Sequence, residues 1–221
     1  MKRVIAIAVF ALMLTLPGLA SAQGSGMYLA PKFLMSIQDT GNMSRSQGGM
    51  GVDDYSQFTL GGALALGYDL WPQQMIPLRM ELELAMRGNS ETSWDGPRGS
   101  VKGTWNNTTL FANLYWDFHN DSQMTPYVGG GLGMAFNYAG YDIHDNTHNN
   151  HFSMDEHSTN FAWNLGAGVA YQFNESLSLD AAYRFVGLGY NEVKSTVGGR
   201  EYKISNNPYN NEFMLGLRFS F

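Results

Sequence analysis

The sequence predicts an all-β fold: an eight-stranded antiparallel up-and-down transmembrane β-barrel. Three observations lead there. Apolar residues recur at every second position through most of the chain, the period of strands rather than of helices. Long and short links alternate between these segments, as in a barrel with tight turns at one rim and loops at the other. Of 221 residues only 14% are charged, while 14% are aromatic and 26 are glycine, well off the charge content of an ordinary soluble domain. The mean hydropathy of −0.23 argues against a bundle of membrane helices. Strands that alternate apolar and polar residues average to such a value and still cross a bilayer.

Residues 1–22 stand apart from the fold. Lys2 and Arg3 precede an apolar run over 4–16, Pro17 and Gly18 break it, and Ala20-Ser21-Ala22 forms a small-residue cleavage site. This is the pattern of a secretory signal peptide. Cleavage after Ala22 and an exported barrel domain over 23–221 are therefore expected. No later apolar stretch approaches the ~18 residues of a membrane helix. The chain has no cysteine, which excludes a disulfide framework and thiol chemistry. Its formal charge of −6 comes with no basic stripe, so nucleic acid is not an expected partner.

The clearest strand covers 78–87. Leu78, Met80, Leu82, Leu84 and Met86 share one face, and Arg79, Glu81, Glu83, Ala85 and Arg87 share the other; a helix would scatter both sets. Before it, 27–37 sets Leu29, Phe33, Met35 and Ile37 against Lys32, and 58–68 sets Phe58, Leu60, Leu64 and Leu66 against alanines and glycines. After it, 108–118 carries Leu110, Leu114, Trp116 and Phe118 opposite Asn113, Tyr115 and Asp117. The segment 127–138 has Val128, Leu132, Met134 and Phe136 opposite a face made almost wholly of glycine. The last three strands cover 161–173, 177–185 and 213–221. Links over 38–57, 88–107, 139–160 and 186–212 are long and polar; those over 69–77, 119–126 and 174–176 are short. Within the last long link, Gly198-Gly199 separates two strand-like segments and suggests a hairpin above the barrel.

Two eight-stranded barrels fit this pattern, a soluble one with its apolar face inward and a membrane one with that face outward. The less apolar face decides between them. It carries Lys32, Arg79, Arg87, Arg184 and Arg218 against Asp69, Glu81, Glu83, Asp117, Asp180 and Glu212, among small residues. Nearly cancelling charges on small-residue walls suit a narrow interior in which each ion needs a partner. Lys32, Arg79, Glu81, Glu83, Arg87, Asp117, Asp180, Arg184 and Arg218 are therefore expected to meet in the lumen. Aromatics near the short turns, among them Trp71, Trp116, Phe118, Phe173 and Phe219, would form an interfacial girdle.

The chain resembles the opacity-protein-like, OmpA-type outer-membrane β-barrels, a family of bacterial surface antigens. The likeness rests on Asn113-Leu114-Tyr115-Trp116-Asp117-Phe118 and on Thr125-Pro126-Tyr127-Val128 followed by Gly129-Gly130-Gly131-Leu132-Gly133. Leu165-Gly166-Ala167-Gly168-Val169-Ala170-Tyr171 and Leu179-Asp180-Ala181-Ala182-Tyr183-Arg184-Phe185 continue it, with Phe185 where the family usually has tyrosine. Phe213, Leu215, Leu217, Phe219 and Phe221 look like the signal read by the outer-membrane assembly machinery. The resemblance implies a bacterial outer-membrane location and a monomer surrounded by outer-membrane lipid and lipopolysaccharide. It also implies polar loops that meet an unidentified extracellular ligand.

No catalytic or cofactor-binding residue is expected. His144, His148, His151 and His157 share the third long link with Asp142, Asp145, Asp155 and Glu156, and such side chains can bind zinc, nickel or copper. Their spacing fits no rigid motif, so a solvated loop without metal is the reading. His151-Phe152-Ser153 invites comparison with lipid A-modifying hydrolases, but nothing orients a base there. The expected function is non-enzymatic: four extracellular polar loops presented for adhesin-like or antigen-like surface interaction, or for envelope integrity. A small low-conductance channel is the alternative, and a lipid A-modifying enzyme ranks after it.

Overall fold

The computed structural model describes residues 25–39, 44–45, 56–96, 99–145, 150–189, 191–197 and 200–221; the expected signal segment over 1–22 lies outside them. Eight antiparallel strands close on themselves: β1 (Met27–Asp39), β2 (Ser56–Asp69), β3 (Leu78–Arg87), β4 (Gly99–Asp117), β5 (Met124–Asp145), β6 (Asn150–Asn174), β7 (Leu177–Gly187) and β8 (Tyr209–Ser220). Each pairs with its sequence neighbours, and β8 returns to β1 with Phe213 opposite Met35 and Phe219 opposite Leu29. Closure leaves no strand edge in the membrane-crossing part, where hydrocarbon offers no hydrogen bond to an open edge.

The alternation in the sequence becomes inside and outside. On β3, Met80, Leu82, Leu84 and Met86 are 41–55% exposed, whereas Arg79, Glu81, Glu83 and Arg87 are at most 7% exposed. The apolar face therefore looks outward, and the charges are enclosed. The same holds around the wall, with Leu60, Leu114, Leu132, Phe161, Leu165 and Leu215 all exposed on the outside. Such a belt has no place in water, where monomeric proteins rarely expose so much contiguous apolar surface; it is what lipid requires.

Two of the expected long links turn out to be strand. β4, β5 and β6 run for 19, 22 and 25 residues, about twice the ~9–11 needed to cross a bilayer. The 139–160 region is thus a hairpin continuing the wall, with Asp145 opposite Asn150. In the 88–107 region a short strand, Ser90–Gly96, folds back on the start of β4. Beyond the bilayer a strand needs no apolar face, so period-two alternation fades. β-favouring residues such as Thr92, Trp94, Val101, Tyr141 and Ile143 still sustain the ladder. The last link contains the expected hairpin, Asn191–Val197 against Arg200–Asn206, joined by Ser44–Arg45.

At the opposite rim the turns are short. One of them holds a single helical turn, α1 (Trp71–Gln74), closed by Met75 in the left-handed conformation at φ 57°. Trp71 departs from the expected girdle: its ring stacks on His119 at 3.9 Å, and both residues line the barrel mouth. Trp116, Phe118, Phe173 and Phe219 remain exposed at the lower edge of the belt.

The glycine run of β5 has a packing cause. Gly129, Gly131 and Gly133 stand opposite Tyr115, Asn113 and Phe111 of β4, and a Cβ at any of the three would collide with that partner's side chain. The run gives up its own side chains so that β4 can fill the interior. Gly131→Val is therefore expected to lower the stability of the refolded barrel by about 1–3 kcal/mol through overpacking. The urea midpoint in defined bilayers measures this, and an unchanged midpoint would contradict it.

Candidate functional site

The interior holds one continuous chain of ion pairs. Arg79 grips Asp117 through Nε at 3.0 Å and Nη2 at 3.1 Å, and reaches Glu81 through Nη1 at 2.9 Å. Lys32 bridges Glu81 and Glu83 at 2.6 and 2.7 Å. Arg184 joins Glu83 at 2.5 Å and Glu212 at 2.7 Å, and Arg87 closes the series on Glu212 at 2.5 Å. Four carboxylates alternate with four cations, so the chain carries no net charge. Its β3 members run from Arg79 to Arg87, eight residues or about 26 Å apart at the rise of a strand. At the ~35–45° tilt of such strands this length covers about 20 Å of the ~25 Å height of an outer-membrane apolar band.

Neutral groups complete the shell. Tyr28 donates its hydroxyl to Glu81 at 2.7 Å and accepts from Arg79 at 3.2 Å. Ser36 donates to Glu212 at 3.2 Å, and Thr109 accepts from Arg87 at 3.1 Å. The Arg79 guanidinium lies 4.5 Å from the Tyr115 ring and 4.7 Å from the Tyr127 ring, a cation–π arrangement that holds it in place. Toward the long-hairpin end, Phe111, Ala135, Ala162, Val186 and Leu188 form a buried apolar cluster inside the wall.

Not every charge expected in the interior joins this chain. Asp180 and Arg218 form a separate pair at 2.7 Å. Arg218 also lines a polar vestibule of about 680 Å³ at the short-turn mouth. Asp69, from the same face, stays at the rim and accepts the Trp71 backbone N–H at 2.9 Å. Glu212, which the sequence places on this face but outside the expected contact set, holds two arginines. Tyr28 and Ser36 were also missed, although both share the even positions of β1 with Lys32. Tyr28 and Ser36 lie within the predicted 27–37 strand on the Lys32 parity, and Glu212 lies one residue before the predicted 213–221 strand, so reading every polar side chain on the inward parity finds all three.

The candidate metal ligands do not come together as a described site. His157 is exposed and its ring lies 5.0 Å from that of Tyr138. His144 and His151 are register partners on the β5–β6 hairpin, but their side chains are not described, and His148 lies outside the described residues. Among the described residues no three potential ligands converge.

The outer-membrane protein beta-barrel domain family matches residues 6–221. The chain belongs to this outer-membrane β-barrel family. It is a protein of the bacterial outer membrane, with short turns on the periplasmic side and long hairpins outside. Over its whole length, and over the whole of the relative, it is 28% identical to outer membrane protein PagN of Salmonella typhimurium. It is 27% identical to an adhesin candidate of Rickettsia conorii over 59% of this chain and 54% of that protein. Two solved structures share the fold. Neisserial surface protein A, 20% identical, superposes with a TM-score of 0.51 over 89% of this chain and 98% of its own. OprG of Pseudomonas aeruginosa, 17% identical, gives 0.54 over 89% and 97%.

Proposed function

We infer that the protein is a non-enzymatic, monomeric surface barrel, a plugged cylinder whose work is done by the hairpins it holds outside the cell. One contrast carries the reading: a chain of buried ion pairs crosses the interior above the short-turn vestibule, while β4, β5 and β6 continue as strand well past the length that crosses a bilayer. A filled lumen offers no path for solutes, whereas hydrogen-bonded strands hold a contact surface at less entropic cost on binding than free loops. The adhesin candidate among the relatives supports an adhesin-like role, and envelope integrity is compatible with the same architecture. The outward stripe of Phe213, Leu215, Leu217 and Phe219, continued by Phe221, is the segment assigned to the assembly machinery.

No catalytic step belongs to this reading. The two described histidine side chains, His119 and His157, lie at opposite ends of the barrel, so neither brings a base to the ion chain. The test is to trim the third hairpin. Replacing residues 140–155 by a two-residue turn should leave a barrel that still shows heat-dependent gel mobility. Attachment of a non-adherent bacterial host displaying that barrel should then fall at least tenfold against the full chain on cultured cells. Equal attachment by both would argue for a role in the envelope instead.

A further inference from the structure

A second polar hollow opens on the outside of the wall, unrelated to the lumen. It measures about 510 Å³, within the ~300–1,000 Å³ range of small-ligand sites. Asn89, Asn106, Phe136, Asn137, Tyr138 and His157 contribute to its lining. Its position is set by the alternation of the strands. Asn106 follows the outward parity of Leu110 and Leu114 on β4, Tyr138 that of Met134 and Phe136 on β5, and His157 that of Phe161 and Leu165 on β6. The hollow therefore begins where the apolar belt ends on the extracellular side. This is the level of the polar head groups of the outer leaflet.

Its chemistry narrows the ligand. Among the described residues no Asp, Glu, Lys or Arg lines it, a lining that favours a neutral ligand over a phosphate, a sulfated or a cationic group. Asn106 donates through Nδ2 to Asn89 Oδ1 at 3.2 Å. That bond leaves the Asn106 carbonyl oxygen as an acceptor and the Asn89 amide nitrogen as a donor on one pair of side chains. Opposite these amides, the Tyr138 and His157 rings meet at 51° with centroids 5.0 Å apart, an angled aromatic wall above Phe136. Hydroxyl groups donate and accept at once, and a sugar ring pairs such hydroxyls on its edge with an apolar C–H face.

We propose that this hollow binds a neutral saccharide ring. The two sources of that chemistry are the core sugars of the membrane's own lipopolysaccharide and glycans outside the cell. The site is separate from the hairpin tips, so trimming 140–155 removes none of the six residues named.

The test uses the untagged, refolded full-length barrel in phospholipid nanodiscs free of lipopolysaccharide. One arm titrates delipidated lipopolysaccharide core oligosaccharide, and the other a panel of neutral oligosaccharides. Saturable binding of the core oligosaccharide, weakened at least tenfold by Asn106→Ala and by Tyr138→Ala, is the expected result. Both substitutions lie on the wall above the belt, and retained heat-dependent mobility verifies their folding. Silence toward the core but binding of a neutral glycan, with the same sensitivity to both variants, supports the saccharide site and assigns its ligand to the outside. Absence of saturable binding in both arms overturns the proposal, as does binding that neither variant weakens.

Discussion

Glu212→Gln should destabilise the barrel more than any other single carboxylate replacement along the ion chain. The reason lies in the order of the pairs. Glu81 and Glu83 each share Lys32, which keeps the other when one is lost; Arg79 keeps Glu81 if Asp117 is removed, and Arg184 keeps Glu83 if Glu212 is removed. Arg87 ends the chain, and its one described carboxylate partner is Glu212. Removing that charge leaves a guanidinium enclosed in the wall, where breaking a buried pair costs about 3–5 kcal/mol. Asp180→Asn should cost less, because Arg218 lines the periplasmic vestibule and water can solvate it. Urea unfolding of both variants in defined bilayers gives the ranking. A smaller loss for Glu212→Gln than for Asp180→Asn would contradict the order of the chain.

Leu82→Arg tests the opposite side of the same strand. Leu82 is 55% exposed at the middle of β3, between Met80 and Leu84 on the belt. An arginine there meets hydrocarbon, and the expected loss is about 2–4 kcal/mol of folding free energy in a bilayer, the value for a midplane charge. The same substitution should do much less in detergent micelles that let the side chain reach water. Folding of Leu82→Arg in bilayers as efficiently as the parent chain would mean that this face does not meet lipid.

The transmembrane barrel was legible in the sequence because lipid imposes a strict rule on it. Every outward position over about ten residues must be apolar, and the inward positions must be small or paired, so Leu78 through Arg87 announces its two faces without help. Above the membrane that rule lapses. Residues 99–107 and 139–145 form strand with no apolar stripe, and reading them as loop followed from the fading of the only pattern available. The ion chain was legible as a set of charges on one face but not as an order of contacts. Which cation meets which carboxylate depends on strand stagger around a closed wall, as when Arg184 of β7 reaches Glu83 of β3 across the interior. The wall hollow left no trace in the sequence. It draws on β4, β5 and β6 together with Asn89, residues brought side by side only by register.

A surface barrel of this kind has a lumen filled by its own side chains, and single-channel recording tests that most directly. The refolded chain, inserted in planar bilayers at neutral pH, should show no steady unitary conductance. Glu212→Gln, by loosening Arg87 at the end of the chain, should add brief, irregular openings to an otherwise silent trace. Stable, uniform conductance steps from the parent barrel would contradict the account, since ions cannot pass steadily through an interior that its own side chains fill.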